Sequence, residues 1–205
     1  NLRAMLHLCD GEWAEAETVW REGHEDFLQV GSMTTYLSRT ALIAHVCYVQ
    51  GHYDEFARLA GDQVDRVAGG GHVLGEVRAR TQLALAFAVQ ARPDEAQQQV
   101  TAVRQLLARG EDWGSHAVSC ALADAAAIAA RGDSHGAIVR FGEAAALARA
   151  RRLPWSEAEA RRLCAGEHSR AGDPSSAATE RAAAEAIYRT IGAGTPWIAR
   201  LNKGV

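Results

Sequence analysis

Residues able to do chemistry in this chain of 205 residues are its histidines, cysteines, glycine turns and arginines. The eight histidines include no H-E-x-x-H pair and no two at i, i+4 with a carboxylate in register, the spacing by which a helix presents metal ligands on one face. His52 and His135 fall at turn positions. His45 and His168 lie inside apolar helical patterns, where a partly buried, hydrogen-bonded imidazole is the ordinary outcome. His116 and Cys120 stand one helical turn apart, so a thiol could meet an imidazole, but without a third orienting group the pair reads as packing. Cys9, Cys47, Cys120 and Cys164 form no C-x-x-C pair and read as reduced, buried thiols. Gly69-Gly70-Gly71 could offer backbone amides to an anion at a helix start. It lacks the preceding strand and the Lys-Ser/Thr of a phosphate loop, and is assigned as an inter-helix turn. Arg149, Arg151, Arg152, Arg161, Arg162 and Arg170 form the one charge cluster. It is either a solvated face partly neutralised by Glu157, Glu159 and Glu167 or a patch for an anion or partner. No catalytic set emerges, and neither a cofactor nor a metal is expected.

The elements that must position these side chains follow from composition. Hydrophobic residues make up 48% of the chain, enough for a buried core, while proline is scarce and the apolar positions are mostly Ala and Leu. That combination predicts an all-α protein. A net charge of −3 removes the general attraction toward phosphate backbones, so direct nucleic-acid binding is not expected. No apolar run approaches the roughly 18 residues of a membrane span, and no charged-then-apolar leader opens the chain. A soluble, cytoplasmic protein is the expectation.

A repeat organises the whole. Gly11-Glu12-Trp13-Ala14-Glu15-Ala16, Gly51-His52-Tyr53-Asp54-Glu55-Phe56, Ala91-Arg92-Pro93-Asp94-Glu95-Ala96, Gly132-Asp133-Ser134-His135-Gly136-Ala137 and Gly172-Asp173-Pro174-Ser175-Ser176-Ala177 begin 40, 40, 41 and 40 residues apart. Each supplies a C-cap position, a polar or proline helix start, then a small residue one turn in. Second corners follow about twenty residues later, near Gly31, Gly70, Gly110, Leu153 and Ala193, where Gly and Pro again interrupt the helical pattern. Three of these corners lead into Trp113, Trp155 and Trp197. The spacing predicts first-position helices near 33–50, 73–90, 113–130 and 155–170, and second-position helices near 13–28, 53–67, 93–108, 134–149 and 174–190. Short corners make consecutive helices antiparallel neighbours. Ala44, Ala84 and Ala125 share one middle offset, where a small side chain lets helices approach closely. Trp13, Trp20 and Tyr53 could serve as stacking platforms, yet they fall at core offsets of the repeat and are assigned to the core.

The Gly-acid-aromatic corner, clearest at Gly51 to Glu55 and Gly11 to Ala16, resembles the tetratricopeptide repeat. The unit of 40 is longer than the usual ~34 residues. Long units of this kind, and the closing stretch Ala186 to Trp197, are similar to the helical-repeat regions of MalT-like and LuxR-type bacterial transcription regulators. The resemblance implies a single domain over residues 1–205, a right-handed superhelical solenoid of about five antiparallel helix pairs. It also implies a regulatory or sensor region that binds a partner protein or small effector on its concave face. The opening Asn1-Leu2-Arg3 and the stop soon after Trp197 suggest a piece of a longer protein, with a nucleotide-binding module before it and a DNA-binding or cyclase module after. A free-standing adaptor holding two proteins together is the alternative.

In tetratricopeptide stacks the concave groove is lined by first-position helices. Carried onto this chain, that geometry nominates Ser38, His45 and Tyr48 on one helix, Arg78, Thr81 and Leu85 on the next, and Arg162, Ser169 and Arg170 near the end. Ala41, His45, Thr81 and Arg162 stand where a chaperone-tail clamp needs Lys and Asn, so that partner is not supported. The groove's apolar middle, around Leu85, Ala88, Ala121 and Ala125, would suit an amphipathic helix or a hydrophobic small molecule. As a solenoid, the chain is expected to hold its interior units firmly and to fray at its ends.

Overall fold

The computed structural model describes residues 2–110 and 114–202. Among them are twelve helices: α1 (Leu2–Asp10), α2 (Trp13–Arg21), α3 (Asp26–Gln29), α4 (Met33–Gln50), α5 (Tyr53–Val67), α6 (Val73–Val89), α7 (Pro93–Leu107), α8 (Ser115–Ala130), α9 (Ser134–Ala150), α10 (Pro154–Arg170), α11 (Pro174–Thr190) and α12 (Thr195–Arg200). They stack as antiparallel pairs, as the 40-residue period predicts, in the right-handed superhelix that the tetratricopeptide resemblance implies.

The starts and stops of these helices have local causes. Proline opens α7, α10 and α11, where its missing N–H is no loss. Asp133 and Asp173 accept hydrogen bonds from the amides of Gly136 and Ser176, capping α9 and α11. At the helix ends the chain enters the left-handed region at Gly11, Gly51, Gly132 and Gly172. At the first two corners the amides of Glu12 and His52 reach back to the carbonyls of His7 and Cys47, closing a Schellman-type turn. Ala91 does the same work at φ 56°, a conformation that costs an L side chain about 1–2 kcal/mol.

One predicted helix is broken. The pattern over 13–28 continues past Arg21, but α2 stops there, Gly23 turns at φ 63°, and the four-residue α3 follows. His24 is drawn inward by this break, its ring 4.4 Å from that of Tyr36 and its Nε2 3.0 Å from the Thr40 hydroxyl. The sequence pattern carries no signal for that tertiary demand. The corner marker Trp113 lies outside the described residues.

First-position helices are buried on both flanks, and α4 alone contributes ten buried residues. Ala44, Ala84 and Ala125 are fully buried, in keeping with their role as close-approach positions. Trp20 is fully buried, and Trp13 and Tyr53 pack partly buried against the same core.

The two ends of the superhelix touch. The Gly194 amide donates to the Cys9 carbonyl at 2.9 Å, and the Trp197 indole Nε1 donates to the Leu8 carbonyl at 2.8 Å. A Cβ at Gly194 would run into the backbone carbonyl of Asp10, and one at Gly11 into the ring of Pro196. The last described helix therefore closes the stack into a ring.

Candidate functional site

Closure turns the concave face into a cavity of about 450 Å³. Its walls come from α1 (Met5, Leu8), α4 (Leu42, His45, Tyr48), α6 (Arg78, Gln82, Leu85), α8 (Ser115, Ser119, Leu122) and α10 (Trp155, Glu159), with Tyr188 and Trp197 at the seam. A second hollow of about 480 Å³, edged by Thr34, Ser38, Gln63 and His72, adjoins the first, and Arg78 and His116 line both.

The seam is aromatic. Trp197 sits 4.9 Å from Trp155 and 5.4 Å from Trp13, both edge-on, and 5.8 Å from Tyr188. Such pairs add about 0.5–1.5 kcal/mol each beyond the area they bury.

Behind this cluster lies a buried ionic staple. Glu159 takes two hydrogen bonds from Arg162, at 3.0 and 2.9 Å, and two from Arg200, at 2.6 and 3.2 Å. The Tyr48 hydroxyl donates to the same carboxylate at 2.6 Å. Arg162 and Arg200 are 5% and 7% exposed, so removing their shared partner would leave two buried cations. Burial alone pushes the Glu159 carboxyl up, but the two guanidiniums more than offset this and hold it well below the ordinary carboxylate value. Burial and the Glu159 charge push the Tyr48 phenol up to about 12. Burial, aided by Arg200, pushes His45 down to about 4, so its imidazole is neutral beside Trp197.

Of the residues nominated from sequence, His45, Tyr48, Arg78, Thr81 and Leu85 come together on the cavity wall. Ser38 edges the adjoining hollow. Arg162 is committed to Glu159 behind the wall. Arg170 pairs with Glu167 at the outer corner, and the Ser169 hydroxyl takes a hydrogen bond from Arg181. Neither of those two residues lines the cavity. Within the arginine cluster, Arg149 and Arg161 share Glu157, and Arg161 also holds Glu180. His116 and Cys120 are not hydrogen-bonded to each other among the described residues. Burial pushes the Cys120 thiol up to about 11, away from nucleophilic use.

The sequence reading missed Trp155, Glu159, Trp197 and Arg200. Two of them were visible as period markers spaced 42 apart, but their place on the inner wall depends on closure. Glu159 read only as a neutraliser of surface arginines. Among the described residues no group of three or more metal-ligating side chains gathers, and no helix is long and apolar enough to cross a membrane.

The backbone places the chain among solved repeat proteins. It superposes on a Rap protein solved in complex with Competence and Sporulation Factor, with TM-score 0.76 and 12% identity over 97% of this chain. The fold is that of the Rap helical repeat. The chain spans about half of that protein, 55% of its length. It also resembles BtubC from P. vanneervenii, with TM-score 0.57 and 16% identity over 92% of this chain and 78% of that one. No family model and no curated protein sequence matches the chain.

Proposed function

We propose that this chain is a non-catalytic regulatory or sensor repeat domain of a larger bacterial transcription or signalling regulator. It binds an effector in the ring cavity and passes that event to a flanking module. One observation carries the reading: an apolar, aromatic-walled cavity is lined by helices from both ends of the stack, from Met5 and Leu8 on α1 to Trp197 on α12. A ligand that binds the closed ring better than an opened one shifts the balance between them by its differential affinity. The Rap protein's complex with Competence and Sporulation Factor supports a binding role for such a fold. The cavity also favours a small effector over a partner helix, because its volume is about 450 Å³. A helix about 10 Å across would fill that space in little more than one turn.

Leu122→Trp places a bulkier side chain in the cavity from α8, a helix that does not form the seam. In thermal melts, the dialysable fraction of a bacterial lysate is expected to raise the melting temperature of the wild-type chain and to leave Leu122→Trp unmoved. An equal response from both proteins would place the binding site elsewhere and sink the reading.

A further inference from the structure

Along α6 the cavity-lining residues run Arg78, Gln82, Leu85, and along α8 they run Ser115, Ser119, Leu122. Both rows pass from polar to apolar over seven residues, about 10 Å of helix. Both helices thus set a hydrophilic rim at one end of the chamber and a greasy interior at the other, where Trp155 and Trp197 supply flat apolar surface.

Arg78 is unlike the arginines of the staple. It is exposed at the passage between the two hollows, and it makes no ion pair or hydrogen bond among the described residues, whereas Arg80, two residues on, holds Glu76. Among the described lining residues the one carboxylate is Glu159, which is already shared by two arginines. Arg162 and Arg200, behind the wall, more than neutralise Glu159, so Arg78 is the one lining charge left unbalanced among the described residues, inside a chain whose net charge is −3. The chamber's volume falls in the ~300–1,000 Å³ range of small-molecule sites.

We propose that the cavity takes a small organic monocarboxylate with an apolar body, its carboxylate held by Arg78 at the rim and its body lodged between Leu85, Leu122 and Trp155. Arginine suits this task because its planar fork meets a carboxylate with two parallel hydrogen bonds. Ser115, Ser119 and His116 stand at the same rim to complete the contact. The Gln82 Nε2 is engaged by the Ala41 carbonyl at 2.8 Å, while its Oε1 is buried without a partner. A hydroxyl or amide N–H on the ligand body would satisfy that oxygen. The inference rests on the cavity reading above and specifies the chemistry of its occupant.

Calorimetric titration of the whole chain with octanoate, with phenylbutyrate and with the primary amide of each tests it. At least one acid is expected to bind wild type about tenfold or more tighter than its amide, the scale of a charge-assisted contact. In Arg78→Gln, an exposed change that breaks no internal bond, this preference is expected to fall below about threefold, with partial recovery in Arg78→Lys. Equal binding of acid and amide, no binding by any of the four, or an acid preference that survives in Arg78→Gln would overturn the proposal. If instead the lysate fraction stabilises wild type and Arg78→Gln equally while Leu122→Trp stays unmoved, the anionic ligand is wrong and the cavity reading stands.

Discussion

Through the middle of the stack, α5 to α9 meet on small and medium side chains such as Ala84, Val100, Ala123 and Ala137, all nearly or fully buried. At the seam, α1, α4, α10, α11 and α12 meet on Trp155, Trp197, Tyr188 and Tyr48, with two buried arginines on one carboxylate. The middle is repetitive, with small buried residues such as Ala44, Ala84 and Ala125 returning at one offset of the repeat. The seam is singular. It joins Leu8 to Trp197 across 189 positions of sequence and uses bulky aromatic residues, of which Tyr48 and Trp197 are also hydrogen-bonded. An open solenoid couples only nearest neighbours, so its ends fray. Here the ends are each other's neighbours, and both should be protected in proportion to the seam's strength.

Breaking either region should tell them apart. Phe87→Asp puts a charge where Phe87 packs between two core clusters under Arg92. It is expected to prevent cooperative folding altogether, seen as loss of a sigmoidal thermal melt. Trp197→Ala should cost about 3–5 kcal/mol, and in amide exchange it should expose α1 and α11 together while α6 and α7 keep their protection. Exchange that quickens only next to Trp197, leaving α1 as before, would mean that the ring is not a unit.

A gentler probe of the seam is pH. The His45 ring lies against Trp197 and Tyr48, with Arg200 and Glu159 facing it. Its folded value of about 4 lies below the unfolded value of 6.5. The unfolded chain therefore binds the proton first, and stability present above pH 6.5 is lost as pH falls toward 4. Glu159, also depressed, adds a loss that begins lower, beneath its ordinary 4.5. His45→Phe should flatten the upper part of this decline in melts between pH 7 and pH 4; an unchanged slope would remove His45 as its cause.

The smallest expected effect belongs to the repetitive region. Ala91→Gly relieves a left-handed alanine at a corner where the other units keep glycine, and it should stabilise the chain by about 1 kcal/mol. A loss of stability in chemical denaturation would show that the Ala91 side chain contributes something the turn geometry does not reveal.

Much of the repetitive region was legible because its causes are local. The C-cap at Gly51 and the N1 position of Pro93 are decided within a few residues of chain, and the apolar period within a turn or two. The α2 break at Gly23 escaped because the pull on His24 comes from Tyr36 and Thr40, on another helix. The candidate cavity was half legible: His45, Tyr48, Arg78, Thr81 and Leu85 follow from first-position offsets. Ser169 and Arg170, at the far end of the same helix as Arg162, lie off the inner wall because α10 meets the cavity through its first turns, at Trp155, Ser156 and Glu159.

By itself, then, the sequence determined most of the helices, their order and their antiparallel pairing, since all of these are set by short-range periodicity and capping. Only the tertiary structure decided that Gly194 would lie against Asp10 and Gly11 against Pro196, that two of Arg162, Arg200 and Glu159 would outvote the third in charge, and that a groove would become a chamber. The physical reason is cumulative: closure depends on small rotations summed over five repeats, and no window of sequence encodes a sum.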